Sequence, residues 1–233
     1  MRKVIAVLVV LILTTAGCAS IPKQPFNREA NQAIQQITLI EPAIKPDYAV
    51  RNLGNPAQSF GLIGLMIAEG QASSKTAAFT KLAKARSFDL KAEFMAALVA
   101  ELQNAGYKVQ TVTAVRPKHE FLPAYGGMPA GTQAILDTTV ESGYLCAASD
   151  SDYLPTVHAT VRLVKPNGKE ILYQEAITYG FESRGAEAIS IAAEKKYFFE
   201  DFDKLSASAD LAVEGMRVGI PLVAKQIAQD LRK

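Results

Sequence analysis

Apolar residues recur every three or four positions over residues 87–104, and this period predicts an amphipathic helix. Leu90, Phe94 and Leu98 lie on the apolar stripe of that helix. Ser87 or Asp89 can cap its first turn. A glycine closely follows the pattern, at a position where glycine commonly ends a helix. This is the clearest helical pattern in the chain.

The same period returns near the carboxyl end, over residues 202–232, and predicts a long C-terminal helix. A kink or a restart is expected at Pro221, because proline has no backbone N–H to donate within a helix. A weaker helical pattern covers residues 75–84. The segment 60–68, FGLIGLMIA, is apolar on every side and contains two glycines. It predicts a buried helix that a neighbouring element can approach closely.

Short runs of alternating or β-branched apolar residues predict strands. They lie at 37–40, 48–50, 107–112, 134–142, 155–164 and 170–179. Asn167-Gly168 separates the last two runs and is a strong hairpin signal. Arg162 and Glu175 are expected to pair across that hairpin. The order of elements predicts an α/β fold, with a mixed sheet of about five strands packed with helices and a long C-terminal helix.

Two stretches are candidates for an interaction surface. The first is the apolar segment 60–68, if it is exposed instead of buried, because an exposed apolar patch marks a contact with lipid or protein. The second is 117–131, a long loop rich in proline and glycine, since loops of that length often carry function. The candidate side chains are Phe60, Leu62, Ile63, Leu65, Met66, Phe121 and Tyr125.

The amino terminus has the layout of a secretory signal. Arg2 and Lys3 precede an apolar run of ten residues, and small residues then lead to Cys18. Because a spanning helix needs about 20 apolar residues, the run is too short to cross a bilayer. Thr15-Ala16-Gly17-Cys18 resembles a bacterial lipobox. The alternative is a plain secretory signal that is cut near Ala16, with Cys18 a bystander.

The lipobox resemblance implies lipidation of Cys18 and removal of residues 1–17 as a lipoprotein signal peptide. Ala19, in place of aspartate, implies release to the outer membrane. Residues 18–34 would then be a lipidated tether, whose extended first part reaches about 25–28 Å. Residues 35–233 would form a single periplasmic α/β domain. The expected location is the periplasmic face of the outer membrane.

Charge and composition exclude some functions. Without Arg2 and Lys3 the chain has 23 Lys and Arg against 23 Asp and Glu, so it is formally neutral. A neutral chain lacks the basic surface of a nucleic-acid binder. Once Cys18 is lipidated, Cys146 has no cysteine to pair with. The fold is therefore expected to have no intrachain disulfide.

The chemistry-bearing residues do not form a known catalytic pattern. Cys146 could be a nucleophile with His158 or His119 as base, but it lies in no recognisable motif, and a small buried residue is the favoured interpretation. Asp137, Asp150 and Asp152 lack the spacing of a calcium loop. No hydrolase, zinc or phosphate-binding motif is present. The sequence therefore predicts no enzyme, no cofactor and no metal site.

The order of these elements resembles that of small outer-membrane lipoproteins of the curli-secretion and transport-auxiliary kind. The similarity rests on the lipobox, FGLIGLMIA, the helix ending in LQNAGYKV, and the runs ILDTTV, TVHATVRLV and NGKEILYQ. It implies an accessory or assembly factor in envelope biogenesis or export, with envelope proteins as partners. Self-assembly into a homo-oligomer stays open. The alternatives are a thiol-dependent hydrolase using Cys146 and a binder of a small apolar ligand.

Overall fold

A computed structural model of the chain describes residues 21–54, 61–116, 118–148, 150–181 and 188–232, and covers only the backbone of 61–68. The strands are β1 (Gln36–Ile40), β2 (Ala43–Ile44), β3 (Ala49–Asn52), β4 (Lys108–Val112), β5 (Ala134–Cys146), β6 (Leu154–Val164), β7 (Ile171–Gly180) and β8 (Ile189–Ile191). The helices are α1 (Gly61–Ala85), α2 (Leu90–Asn104), α3 (Phe202–Ala207) and α4 (Ala209–Asp230). A single 3-10 turn, Lys195–Tyr197, precedes α3.

The strands form one mixed sheet around β5. Strands β1, β2 and β3 follow one another along one edge of β5, all parallel to it, and β4 pairs with the outer edge of β1. On its other side β5 is antiparallel to β6, which pairs with β7, and β8 adds to β7 in parallel. The predicted α/β class is confirmed. The sheet has eight strands instead of about five, because β2 and β8 are too short to show a period in the sequence.

The main core lies between the sheet and the helices. Alternate residues of β5, among them Leu136 and Tyr144, point into it together with the apolar stripe of α2. Helix α4 lies very close to the sheet. An added Cβ atom on Gly219 would lie only 2.3 Å from the Tyr179 ring. Glycine on α4 is therefore what allows the helix to reach the aromatic side chains of the sheet.

Helix α1 closes the outer edge of β3. The weak pattern at 75–84 and the apolar segment 61–68 belong to this one helix. The backbone N–H of Val50 donates to the Thr76 hydroxyl at 3.0 Å, and that of Tyr48 donates to the Thr80 hydroxyl at 2.9 Å. Residues four apart on a helix share a face, so these two hydroxyls satisfy successive edge groups of the strand. The result is a sheet edge that is covered by a helix.

The expected ends of α2 are confirmed. Asp89 caps the first turn by accepting a hydrogen bond from the Ala92 N–H at 3.0 Å. Gly106 follows the last turn with φ +92°, the left-handed conformation that glycine adopts without strain. The restart expected at Pro221 was wrong, because α4 continues through this residue and the helical region is interrupted at Ser208 instead. A kink at Pro221 stays a prediction.

The predicted ion pair between Arg162 and Glu175 was also wrong. Arg162 donates from Nε to Oε1 of Gln174 at 2.6 Å. Glu175 is next along β7 and therefore points to the opposite face of the sheet. There it pairs with Lys23 at 2.8 Å. The hairpin itself forms as predicted, with Gly168 in its turn.

Residues 21–34, assigned from the sequence to the tether, pack on the domain. Gln24 pairs with Gln174 on the outer edge of β7. Phe26 packs against the main core, and Ile34 belongs to it with 8% of its surface exposed. The folded body thus includes this segment. No helix in the described ranges combines the length and the apolar character that a bilayer crossing requires.

Candidate functional site

The sheet face that points away from the helices is polar. Glu141 of β5 and His158 of β6 are opposite each other in register and share this face with Asp137 and Arg162. The loop that follows β4 lies over one end of it, where Tyr125 and neighbouring apolar side chains form a second, smaller core. We take this face, with its covering loop, as the candidate functional site.

Asp137 holds the loop on the sheet. Its carboxylate is completely buried. It accepts hydrogen bonds from Arg116 Nη2 at 2.5 Å, from the Leu122 N–H at 2.8 Å and from the Tyr125 hydroxyl at 3.0 Å. Arg116 also donates to the carbonyl oxygens of Glu41 and Glu120. One carboxylate therefore fixes the position of three loop residues.

Two predicted interaction residues lie in this loop, and their surroundings differ. The Phe121 ring is partly exposed and stacks under the Arg162 guanidinium, 4.3 Å from ring centroid to Cζ. Tyr125 is buried, with 9% of its surface exposed, so it supports the loop and offers little contact surface. Burial, and then the neighbouring Asp137 carboxylate, raise the pKa of the Tyr125 hydroxyl. Of the two side chains, Phe121 is the more exposed, and a contact of either one with a partner stays a prediction.

Both histidines of the chain lie beside Glu141. Lys45 makes an ion pair with the Glu141 carboxylate. Burial of Glu141 opposes ionisation, but the hydrogen bond and the charge of Lys45 outweigh it and lower the pKa of the carboxyl. His158 Nδ1 lies 2.7 Å from the Thr178 hydroxyl, and burial lowers the pKa of its imidazole. His119 Nε2 lies 3.1 Å from the Val140 carbonyl oxygen.

A cavity of about 680 Å³ opens next to this cluster, between α1 and the strands β2, β3 and β5. That volume is typical of small-molecule sites, which measure about 300–1,000 Å³. The Thr156 side chain lines it, and its buried hydroxyl has no hydrogen-bond partner among the described residues. Charged side chains of both signs also line the cavity, namely Lys45, Asp47, Arg51, Glu69 and Glu141.

Cys146 is not part of this site. It belongs to the main core on the helix side of the sheet, with 1% of its surface exposed, whereas His158 occupies the opposite face. Burial raises the pKa of the Cys146 thiol, although Tyr153 and Lys75 act in the other direction. His119 contacts a backbone carbonyl of β5. Each of the two histidines is therefore hydrogen-bonded to a group other than the Cys146 thiol.

The aspartates considered as calcium ligands are not grouped together. Asp137 is bonded to the loop, away from the turn that holds Asp150 and Asp152. Within the described ranges, no three His, Cys, Asp or Glu side chains come close enough to hold a metal ion.

Some predicted site residues lie outside what the structure describes. Cys18 and Phe60 are not among the described residues. Leu62, Ile63, Leu65 and Met66 lie in α1, and their side chains are not described. Whether the apolar segment forms a contact surface stays a prediction.

The residues that organise the site carry little signal in the sequence. Asp137, a candidate metal ligand by its residue type, stands alone in the apolar run ILDTTV. A single carboxylate in a strand that is otherwise buried predicts a specific cationic or N–H partner, because an unpaired buried charge is very costly. Lys45, Arg116 and Glu141 carry no comparable signal.

Comparison with known proteins gives structural matches only. No model of a protein family matches the chain, and no curated protein matches it.

Three of the solved structures that match the chain have low identity and TM-scores below 0.5. A homolog of the neuraminyllactose-binding hemagglutinin from Helicobacter pylori has 14% identity and a TM-score of 0.40, covering 91% of this chain and 87% of its own. A PelC dodecamer from Paraburkholderia phytofirmans has 11% identity and a TM-score of 0.35, with coverage of 92% and 95%. Lipoprotein GNA1162 from Neisseria meningitidis has 17% identity and a TM-score of 0.34, with coverage of 64% and 88%. At these values no partner, assembly or activity is carried over to this chain.

Proposed function

We propose that this chain is a lipid-anchored protein of the bacterial envelope that acts by contacts with other proteins. The observation that carries the proposal is Thr15-Ala16-Gly17-Cys18 directly after a short apolar run. Acyl chains on Cys18 would hold the domain at a membrane, since each buried methylene contributes about 0.8 kcal/mol. The location is the periplasmic face of the outer membrane.

The anchor is tested with the full chain expressed in a Gram-negative host. The mature protein should have the intact mass of a polypeptide that begins at Cys18 and carries acyl groups, and should leave the membrane only with detergent. A Cys18→Ser variant should carry no acyl mass. An exported chain without acyl mass that washes off membranes in plain buffer would contradict the proposal.

A role without catalysis is part of the same proposal. The environment of Cys146 supports it, because a buried thiol with a raised pKa is a poor nucleophile. A Cys146→Ala variant should support the same phenotype in vivo as the unaltered protein. Loss of that phenotype in a variant that still folds would favour the alternative of a thiol-dependent hydrolase.

The loop held by Asp137 is the proposed contact surface for envelope proteins, together with the apolar segment 60–68. The exposed residues of the loop include Ala124 and Ala130. Ala124→Glu and Ala130→Glu should reduce crosslinking to partners in intact envelopes. Ala100→Glu, at an exposed position on α2, is the matched control and should crosslink normally. Unchanged crosslinking in all variants, including charge substitutions at Leu62 and Met66, would remove both surfaces from the proposal.

Ligand binding is a second candidate function, and the cavity beside α1 favours it. The charged side chains that line this cavity suit a polar ligand better than an apolar one. Native mass spectrometry of the delipidated protein should then show a bound small molecule that Thr156→Val weakens. A spectrum of protein alone would count against this candidate.

A further inference from the structure

The segment after the proposed anchor is fastened to the sheet by backbone and side-chain hydrogen bonds. We call residues 21–34 the strap. The Gln24 N–H donates to the Gln174 carbonyl and the Gln174 N–H donates to the Gln24 carbonyl, both at 2.8 Å. The side-chain amide of Gln174 donates to the Pro22 carbonyl at 2.7 Å, and that of Gln24 donates to the Ile171 carbonyl at 2.5 Å. The strap is therefore joined to the outer edge of β7 by one antiparallel bridge and two side-chain hydrogen bonds.

An ion pair with a buried carboxylate also holds the strap on the sheet. The side chain of Glu175 is 4% exposed and pairs with Lys23, whose side chain is 48% exposed. Losing Lys23 from the folded protein would leave this buried carboxylate without its cation, which is strongly unfavourable. Farther along, Arg28 donates to the Gln229 carbonyl at the end of α4, at 3.2 Å. The strap is thus held at several points along its length.

The strap limits how far the domain can stand from its anchor. Only Ala19 and Ser20 lie between Cys18 and Ile21. Three steps of extended chain span at most about 11 Å. If residues 21–35 were free, the reach from Cys18 to the start of β1 would be about 60 Å. Docking of the strap therefore shortens the tether severalfold.

We propose that the strap clamps the lipid anchor to the outer edge of β7, so that the β7–β8 edge of the sheet lies on the lipid headgroups. This inference rests on the proposed acylation of Cys18. Strand β4 is at the other end of the sheet order, four strand spacings from β7, or about 19 Å at 4.8 Å each. The β4 edge stands farther from the bilayer and is the edge available to soluble partners.

The test places a fluorophore on each edge of the lipidated, full-length protein in vesicles. Ser190→Cys on β8 and Lys108→Cys on β4 are both exposed positions, and the protein without an added cysteine gives the background from buried Cys146. Lipids that carry a quencher on the headgroup should quench the Ser190 probe several-fold more than the Lys108 probe. Equal quenching at the two edges, in protein whose intact mass shows acyl groups, would overturn the inference.

The role of the strap is tested separately from that of the anchor. Lys23→Glu places two carboxylates together and should release the strap, lowering the quenching at Ser190. Combining it with Glu175→Lys should restore quenching, and Lys196→Glu, which breaks an exposed pair with Glu194, should leave it unchanged. If Lys23→Glu has no effect on quenching, the clamp does not exist, even where acylation is intact. Protein without acyl mass would instead refute the proposed function, and the clamp with it.

Discussion

A carboxylate that is completely buried in a strand, such as that of Asp137, needs a neighbouring cation and hydrogen-bond donors to neutralise its charge. Arg116 provides the charge, while a backbone N–H and a tyrosine hydroxyl provide further hydrogen bonds. Charge-assisted hydrogen bonds of this kind are about twice as strong as neutral ones. At the scale of residues, the position of the loop thus depends on one side chain.

Replacing Asp137 by alanine should destabilise the protein by about 3–5 kcal/mol, because Arg116 would remain buried without its partner. The free energy of unfolding in urea measures this. Asp210→Ala is the control, since Asp210 pairs with Arg86 but has 88% of its side chain exposed, and its loss should be much smaller. Similar losses for the two variants would contradict the role assigned to Asp137.

The buried imidazole of His158 predicts a dependence of stability on pH. Burial lowers the pKa of His158 below 6.5 in the folded protein. Above pH 6.5 the imidazole is mostly neutral in both states, but as the pH falls below that value the unfolded chain takes up a proton first. Stability should therefore fall as the pH is lowered from about 7 to 5.

Urea midpoints between these pH values measure the effect. His158→Gln, which keeps a group able to bond the Thr178 hydroxyl, should flatten the dependence. In the folded protein the pKa of the Glu141 carboxyl is lowered from 4.5, so this carboxyl stays ionised over the range. An unchanged slope in the variant would show that other groups cause the dependence.

At the scale of elements, the contact between α4 and the sheet depends on residues without side chains. A Cβ atom on Gly215 would lie 2.7 Å from the Tyr144 hydroxyl, and one on Gly219 would be closer still to Tyr179. Both tyrosines are buried in the main core. Neither ring can move without disturbing its neighbours, since protein cores are densely packed.

Gly219→Ala should therefore lower stability by about 1–3 kcal/mol through overpacking, less what alanine gains in helix propensity. Gly70→Ala in α1 is a matched control, because a Cβ atom there meets nothing within 4 Å. That variant should be neutral or slightly more stable, as alanine favours a helix by about 1 kcal/mol over glycine. Thermal unfolding of the two variants compares them directly. A stable Gly219→Ala protein would mean that α4 can shift.

At the scale of the whole molecule, the folded body includes the strap. Ile34 and Phe26 pack in or against the main core, and Lys23 neutralises the buried Glu175. The segment therefore contributes to the stability of the fold.

A chain that starts at residue 21 should unfold at the same temperature as full-length Cys18→Ser protein. A chain that starts at residue 35 should be less stable by several kcal/mol, since it loses apolar contacts and leaves Glu175 without Lys23. Calorimetry of the purified chains measures both. Equal melting temperatures for the two truncated chains would place the start of the domain after the strap.

The elements with a long, regular period were predictable. The helix of residues 87–104 and the hairpin at Asn167-Gly168 are both local, because capping and turn geometry depend on nearby residues. Short strands such as β8 were not predictable, since three residues show no period. The pairing of Arg162 was mispredicted because adjacent residues of a strand point to opposite faces, and only the register reveals which partner is near.

The sequence by itself determined the α/β class and the long helices, because periodicity and turn signals are properties of neighbouring residues. The lipidated leader and the location stay predictions from a pattern that is equally local. Only the tertiary structure decided that Cys146 and His158 lie on opposite faces of the sheet. It also decided that Asp137 binds three residues of the loop after β4, and that the strap pairs with β7. These contacts join residues far apart in the chain. They depend on strand register and on how buried charges find partners, neither of which a local pattern encodes.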